Sequence, residues 1–218
     1  MAKAVIVGAS GLVGGDLLDI LLQSAVYKEV TIIVRKEMPL MHPKLKQLVV
    51  DFDQLQDYKA EITGHALFCC LGSTRKKTPD LKIYRKIDHD YPLQVAQMAL
   101  KNGMPQYHLV SALGANATSS NFYTKMKGEV EADLQQVGLK CLHIYRPSLL
   151  TGERNEPNRT AEKFAEGLFK LINPLLVGSL RKYRSIPAAT VARAMYKQSL
   201  IKQEGVFIHL SDEIKEIA

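Results

Sequence analysis

The chain has 218 residues, 46% of them hydrophobic, with a formal charge of +7 and a pI of about 9.2. That length suits one large α/β core spanning residues 1–218 and argues against a second full domain. No apolar run reaches the roughly twenty residues of a membrane span, and no basic–apolar–small leader opens the chain, so neither a transmembrane helix nor a secretory signal is expected. The three cysteines, Cys69, Cys70 and Cys141, lie in apolar runs and form no disulfide framework, which predicts a reducing, cytoplasmic setting. Six histidines show no metal-ligand spacing with them, so no metal is expected. Lys and Arg are spread along the chain. The densest group, Arg75-Lys76-Lys77, has no interleaved aromatics, so the charge reads as solvated surface or as attraction to an anionic cofactor, and no specific nucleic-acid site is expected.

The chain opens on AVIVGASGLVGG, residues 4–15. A β-branched run ends at Gly8, glycines recur at Gly11 and Gly14, and an apolar helical pattern follows. This spacing predicts a buried strand, a tight turn and a helix N-terminus whose N–H groups favour a pyrophosphate. Gly8 suits the turn, Gly11 permits close backbone approach to phosphate, and Gly14 permits close helix–sheet packing. Ser10 offers a hydroxyl donor or a helix cap. Strand two, Glu29 to Arg35, ends on Arg35 and Lys36 where a dinucleotide fold places the group facing the adenosine ribose. Two cations there suit a 2′-phosphate, so NADP(H) is expected ahead of NAD(H). Leu45 to Phe52 reads as strand three. Its terminal Asp51 and Phe52 either meet an adenine or simply close the strand. Helix-like Gln54 to Ile62 leads to a fourth strand, Ala66 to Leu71. The Gly72-Ser73-Thr74 turn then leaves bare backbone for a ribose.

Further on, Asp88 to Asn102 is helical and Tyr107 to Ser111 is strand five. Ser119-Ser120-Asn121 offers N-cap residues for a helix from about Phe122 to Val137, on which Tyr123 and Lys127 share a face. Leu139 to Tyr145 is strand six. Residues 148–186 are loosely patterned and are expected to form a substrate-side segment, with a helix at Thr160 to Ile172. A helix from Ala188 and a strand at Val206 to Leu210 finish the chain. Strands alternating with helices after a nucleotide corner predict a doubly wound parallel sheet of the Rossmann type.

Ser111, Tyr123 and Lys127 form the candidate catalytic trio. Carbonyl reduction needs a proton as hydride arrives, and a free tyrosine near pKa 10 is a weak donor at neutral pH. An ammonium about 4 Å away at an effective dielectric of about 20 is worth roughly 4 kcal/mol, or about three pKa units. Ser111 is expected to hydrogen-bond the developing oxyanion. Among Arg154, Arg181 and Arg184, the last is the preferred contact for an anionic substrate, since it precedes Ile186-Pro187.

Several motifs together resemble the short-chain dehydrogenase/reductase superfamily, specifically its atypical members and the Tat-interacting-protein-like NAD(P)-binding group. They are GASGLVGG (8–15), IVRK (33–36), DFD (51–53), CLGST (70–74), IDHDYP (87–92), LVSALGA (109–115), NFYTKMKGEVE (121–131), YRPSLLTGER (145–154) and IPAATVARAM (186–195). The resemblance implies that Gly8, Ser10, Gly11, Leu12, Val13 and Gly14 bind the pyrophosphate side, and Arg35 and Lys36 the adenosine phosphate. It places Leu71, Gly72 and Ser73 along the ribose path and Pro147 to Leu149 beside the nicotinamide. Tyr123 and Lys127 match the catalytic pair, with Lys127 also on the nicotinamide ribose. Asp88 departs from the pattern by standing where many members carry an Asn of the proton relay. The implied function is NADP(H)-dependent reduction of a small carbonyl by a monomer or homodimer. The alternative is an NADP(H)-binding regulatory module whose output is a protein partner.

Overall fold

The computed structural model describes residues 2–152 and 176–218. Arg154 and the helix expected at Thr160 to Ile172 lie outside the described residues. Seven strands form one parallel sheet: β1 (Ala2–Val7), β2 (Tyr27–Val34), β3 (Leu45–Val49), β4 (Ala66–Cys69), β5 (Gln106–Val110), β6 (Cys141–Arg146) and β9 (Gly205–Leu210). Their order is β3-β2-β1-β4-β5-β6-β9, so the chain reverses its direction of build between β1 and β4. A short pair, β7 (Leu150–Thr151) and β8 (Ile186–Pro187), stands apart.

Alternation along each strand divides the core into two layers, as the period of two requires. Ala4 and Ile6, with Val30 and Ile32, face α1 (Leu12–Gln23) and α5 (Ala188–Ser199). Val5 and Val7, with Leu109 and Ile144, face α3 (Tyr91–Lys101) and α4 (Phe122–Gln136). Helix ends follow their caps. The Asn121 carboxamide oxygen accepts the Tyr123 and Thr124 amides at 2.9 and 3.2 Å, and Gly138 (φ +84°) takes the left-handed position after α4. The chain ends in α6 (Ser211–Ile217).

Two expected elements differ. Strand three stops at Val49, and the following stretch is a 3₁₀ helix, Phe52–Glu61, because the Asp51 carboxylate accepts the Asp53 amide at 2.9 Å and turns the chain. The helix expected from Asp88 begins earlier, as α2 (Leu81–Arg85) under an Asp80 cap, and passes through a π turn, Lys86–Asp90, before α3. Pro92 has no N–H to continue the ladder, and the Tyr91 amide reaches back to the Lys86 carbonyl instead.

At the β6–β9 edge a column of rings replaces aliphatic packing. His108 and His143 stack at 4.6 Å, and His143 and His209 at 5.3 Å. His143 Nδ1 lies 2.9 Å from His209 Nε2, and His108 Nδ1 lies 3.1 Å from the Tyr145 hydroxyl. Burial pushes the His143 imidazole down to about 4 and His108 well below the ordinary histidine value, so both are neutral.

Candidate functional site

Open α/β sheets bind ligands at the carboxyl ends of their strands where the order reverses. Here that point lies between β1 and β4, and it opens as a crevice of about 760 Å³. The turn after β1 is built from backbone. Gly8 has φ +91°, and a Cβ there would lie 2.7 Å from the Cys70 carbonyl carbon. A Cβ on Gly14 would lie 2.2 Å from the Gly8 oxygen, so α1 can pack this closely only without a side chain. The Gly11 amide bonds the Gly8 carbonyl at 3.0 Å. The first-turn amides of Leu12, Val13 and Gly14 have no intrahelical acceptor and face the N-terminal end of α1. These amides, the positive helix end and the glycine cradle fit a dinucleotide pyrophosphate. Val13 is buried and offers only its backbone. Ser10 is exposed on the crevice rim; the helix cap is Gly11, which corrects the capping role expected of Ser10.

The outer end of the crevice is lined by Arg35, Asp51 and Phe52, and one wall by Leu71, Gly72 and Ser73. Lys36 is exposed and does not line it. Phe52 packs against the Tyr91 ring at 5.3 Å.

A second recess, of about 1030 Å³, is lined by Leu12 and Thr74, which follow Gly11 and Ser73 of the first crevice directly in the chain. It is lined by Ser111, Tyr123, Arg146, Pro147 and Leu149, and by Lys182 and Tyr183 from a 3₁₀ helix, Gly178–Tyr183. The expected contact from Arg184 is corrected: its side chain does not line the recess, and its backbone carbonyl accepts the Ser148 hydroxyl. Among the described residues of this segment, Lys182, two residues earlier, is the cation that lines the recess.

Tyr123 is 37% exposed at the recess, while Lys127 is buried one turn behind it. Lys127 Nζ lies 2.8 Å from Asp88 Oδ1, with both side chains almost fully enclosed. The other Asp88 oxygen accepts the Ser73 amide at 2.8 Å. Burial alone would push the Lys127 ammonium down, but the charges of Asp88 and Tyr123 and the Asp88 contact hold it above the ordinary lysine value. The lone-ammonium field expected at Tyr123 is thereby corrected to that of a neutral ion pair. Tyr84 closes the same wall by donating to the Ser73 carbonyl at 3.0 Å, and burial beside Asp88 pushes its phenol up to about 12.

Ser111 also differs from expectation. Its amide donates to the Tyr145 carbonyl at 2.7 Å, and its hydroxyl donates to Glu131, which Arg146 grips with Nε and Nη2. Neither Ser111 proton is available to an oxyanion, which corrects that role. Glu131 was not expected at the site, although it lies eight residues after Tyr123 and four after Lys127 on one helix face. Gly128 was missed as well. A Cβ there would lie 2.1 Å from the Ala117 amide, so it is this glycine that lets the 112–121 loop rest against α4.

Among the described residues, no helix is long and apolar enough to cross a membrane, and no three His, Cys, Asp or Glu side chains are placed to hold a metal ion. All three cysteines are free.

The NAD(P)H-binding family model matches residues 8–199. Rat Protein HTATIP2 is 35% identical over 194 residues, covering 87% of this chain and 78% of that protein. The Saccharomyces cerevisiae Protein FMP52, mitochondrial, is 35% identical over 161 residues, covering 72% and 70%. In fold, the chain is similar to the oxidoreductase ylbE from Lactococcus lactis (TM-score 0.66, 19% identity, 98% and 95% covered). It is likewise similar to the NAD+ complex of the Bordetella bronchiseptica enzyme WbmH (TM-score 0.72, 18% identity, 99% and 79% covered). The cytoplasmic expectation is corrected by the fungal relatives, which are named mitochondrial. Free thiols report a reducing environment and carry no address. With a Rossmann-type sheet, a glycine-built crevice at its switch point and a match over most of its length, the chain belongs to the NAD(P)H-binding family and has the fold of the atypical short-chain dehydrogenase/reductases.

Proposed function

We propose that the protein is an NADP(H)-dependent oxidoreductase that reduces a small carbonyl substrate, with Tyr123 as proton donor and Lys127 as its partner. The observation that carries this reading is the adjacency of the two recesses. Leu12, from the glycine corner, and Tyr123 line one pocket, and Asp88 ties Lys127 to the Ser73 amide of the cofactor wall. A bound nicotinamide supplies the hydride. Tyr123 gives its phenolic proton to the carbonyl oxygen as the carbon receives hydride, the product is the alcohol, and Tyr123 regains a proton from solvent at its exposed edge. Lys127 would hold the nicotinamide ribose, and Pro147 and Leu149, which line the recess, would bound the ring. Arg35, at the outer end of the crevice, selects the 2′-phosphate.

One observation favours a second reading, a cofactor-binding regulatory module with a protein partner: Asp88 cancels the charge that would strengthen Tyr123 as an acid. The two readings separate on NADPH oxidation across aldehydes, ketones and quinones, measured with cofactor titrations. For a reductase, Tyr123→Phe lowers turnover about 10²- to 10⁴-fold with cofactor affinity unchanged, and Lys127→Ala lowers both. Turnover that survives Tyr123→Phe refutes the assignment of the acid. Tight NADPH binding with no turnover by the parent protein supports the module.

A further inference from the structure

Ser111, Glu131 and Arg146 form a cluster at the substrate-side recess that the Tyr123 chemistry leaves unused. Ser111 lines that recess and has two protons to offer, and both are committed. The amide donates to the Tyr145 carbonyl at 2.7 Å, and the hydroxyl donates to a Glu131 carboxylate oxygen. Glu131 is enclosed and ion-paired with Arg146, whose Nε lies 3.1 and 3.0 Å from its two oxygens. An ionised carboxylate accepts only, and a serine hydroxyl has one proton and two lone pairs. While the pair holds, Ser111 can only accept.

We infer that Glu131 and Arg146 fix Ser111 as a hydrogen-bond acceptor toward the recess, so that the site selects substrates carrying a hydroxyl or N–H beside the reacting carbonyl. This rests on the reductase reading of that recess. The substrate class is then an α-hydroxy or α-amino ketone in preference to an α-diketone, because a second carbonyl would set lone pair against lone pair. Glu131 touches no substrate and is a positioning residue. An isosteric exchange inverts the polarity. In Glu131→Gln, Arg146 claims the single amide oxygen and the amide N–H₂ turns to Ser111. Ser111 then accepts, and its own proton swings free toward the recess.

The probes are benzoin and benzil, which share two phenyl rings and differ by hydroxyl against carbonyl next to the reacting carbon. Their affinities are measured by calorimetry on protein loaded with a tetrahydronicotinamide analogue of NADP that cannot transfer hydride, and NADPH oxidation is followed separately. The parent protein binds benzoin more tightly than benzil by about two- to tenfold, the worth of one hydrogen bond. Glu131→Gln moves the ratio toward benzil by at least as much, and Ser111→Ala abolishes the preference of the parent. A structural role alone would weaken both ligands equally. The inference is overturned if the ratio is unchanged in both variants, or if neither ligand binds. If Glu131→Gln does not fold, Ser111→Ala decides. A preference for benzoin that Ser111→Ala abolishes upholds the inference whether or not NADPH is oxidised, and lack of oxidation counts against the reductase reading alone.

Discussion

Asp88 meets two demands at once. It carries the charge opposite Lys127 Nζ at 2.8 Å and accepts the Ser73 amide at 2.8 Å, with only 1% of its side chain exposed. Asp88→Asn keeps the shape and leaves one acceptor oxygen for both donors, while its N–H₂ faces a cation. Removing one member of a buried pair costs about 3–5 kcal/mol, because the remaining charge stays desolvated. The unfolding entropy for 218 residues is about 0.46 kcal/mol/K, so the melting temperature should fall by about 7–11 °C. The pH dependence separates this cause from a packing defect. In the parent, Lys127 is held above the ordinary lysine value of 10.5, so its contribution is complete below that pH and is lost as pH rises through the higher folded value. In Asp88→Asn the counter-charge and contact of Asp88 are gone, burial outweighs what Tyr123 still contributes, and the folded value should drop below 10.5. The folded variant then binds fewer protons than its unfolded chain, and its stability rises with pH toward 10.5. Urea denaturation followed by circular dichroism, since the chain has no tryptophan, should show the deficit shrinking from pH 7 to pH 10. A deficit under 1 kcal/mol, or one constant across that range, refutes the argument.

Arg35→Glu should remove the preference for NADPH over NADH, a change of about 1.5–3 kcal/mol for a charge-assisted contact; calorimetry giving equal affinities in the parent would refute it. Gly128→Ala and Gly15→Ala should act in opposite directions. A Cβ at Gly128 would strike loop backbone at 2.1 Å, costing about 1–3 kcal/mol, whereas at Gly15 its nearest neighbour is 3.6 Å away and the helix gains about 1 kcal/mol; thermal melts of the two variants check this. Binding to DNA at low salt should fade at physiological salt without sequence preference, as filter binding at two ionic strengths would show; a selective, salt-resistant complex would contradict it.

The glycine corner, the strands and the Tyr–Lys helix face were legible because each is dictated locally. Gly8 and Gly14 are required by backbone crowding, β1 is a continuous apolar run because both its faces are covered, and one of the cap residues Ser119 to Asn121 starts α4. What depended on a distant partner was not legible. Asp88 is expected only as a departure at the relay Asn position, and its pairing with Lys127, thirty-nine residues on in sequence, appears once the π turn carries it inward. Glu131 looks like one more polar residue on α4 until β5 and β6 supply Ser111 and Arg146. Lys182 lines the recess and Arg184 does not, since the 3₁₀ turn ends at Tyr183 and the backbone is extended at Arg184. The Pro92 signal was in the sequence, and it foretells the break in the helix ladder that a pattern of apolar positions conceals.

The ring column at the sheet edge confines the medium in which this fold can work. Its imidazoles cross-link β5, β6 and β9 as neutral groups, and an unfolded chain would take up a proton on each below about pH 6.5. Acid therefore pulls on the unfolded side of the balance, at up to about 1.4 kcal/mol per pH unit for each buried imidazole. His143 resists protonation down to about 4, so that pull accumulates across more than two pH units. Acidic solution would therefore draw on this edge of the sheet, and neutral or mildly alkaline solution leaves it intact.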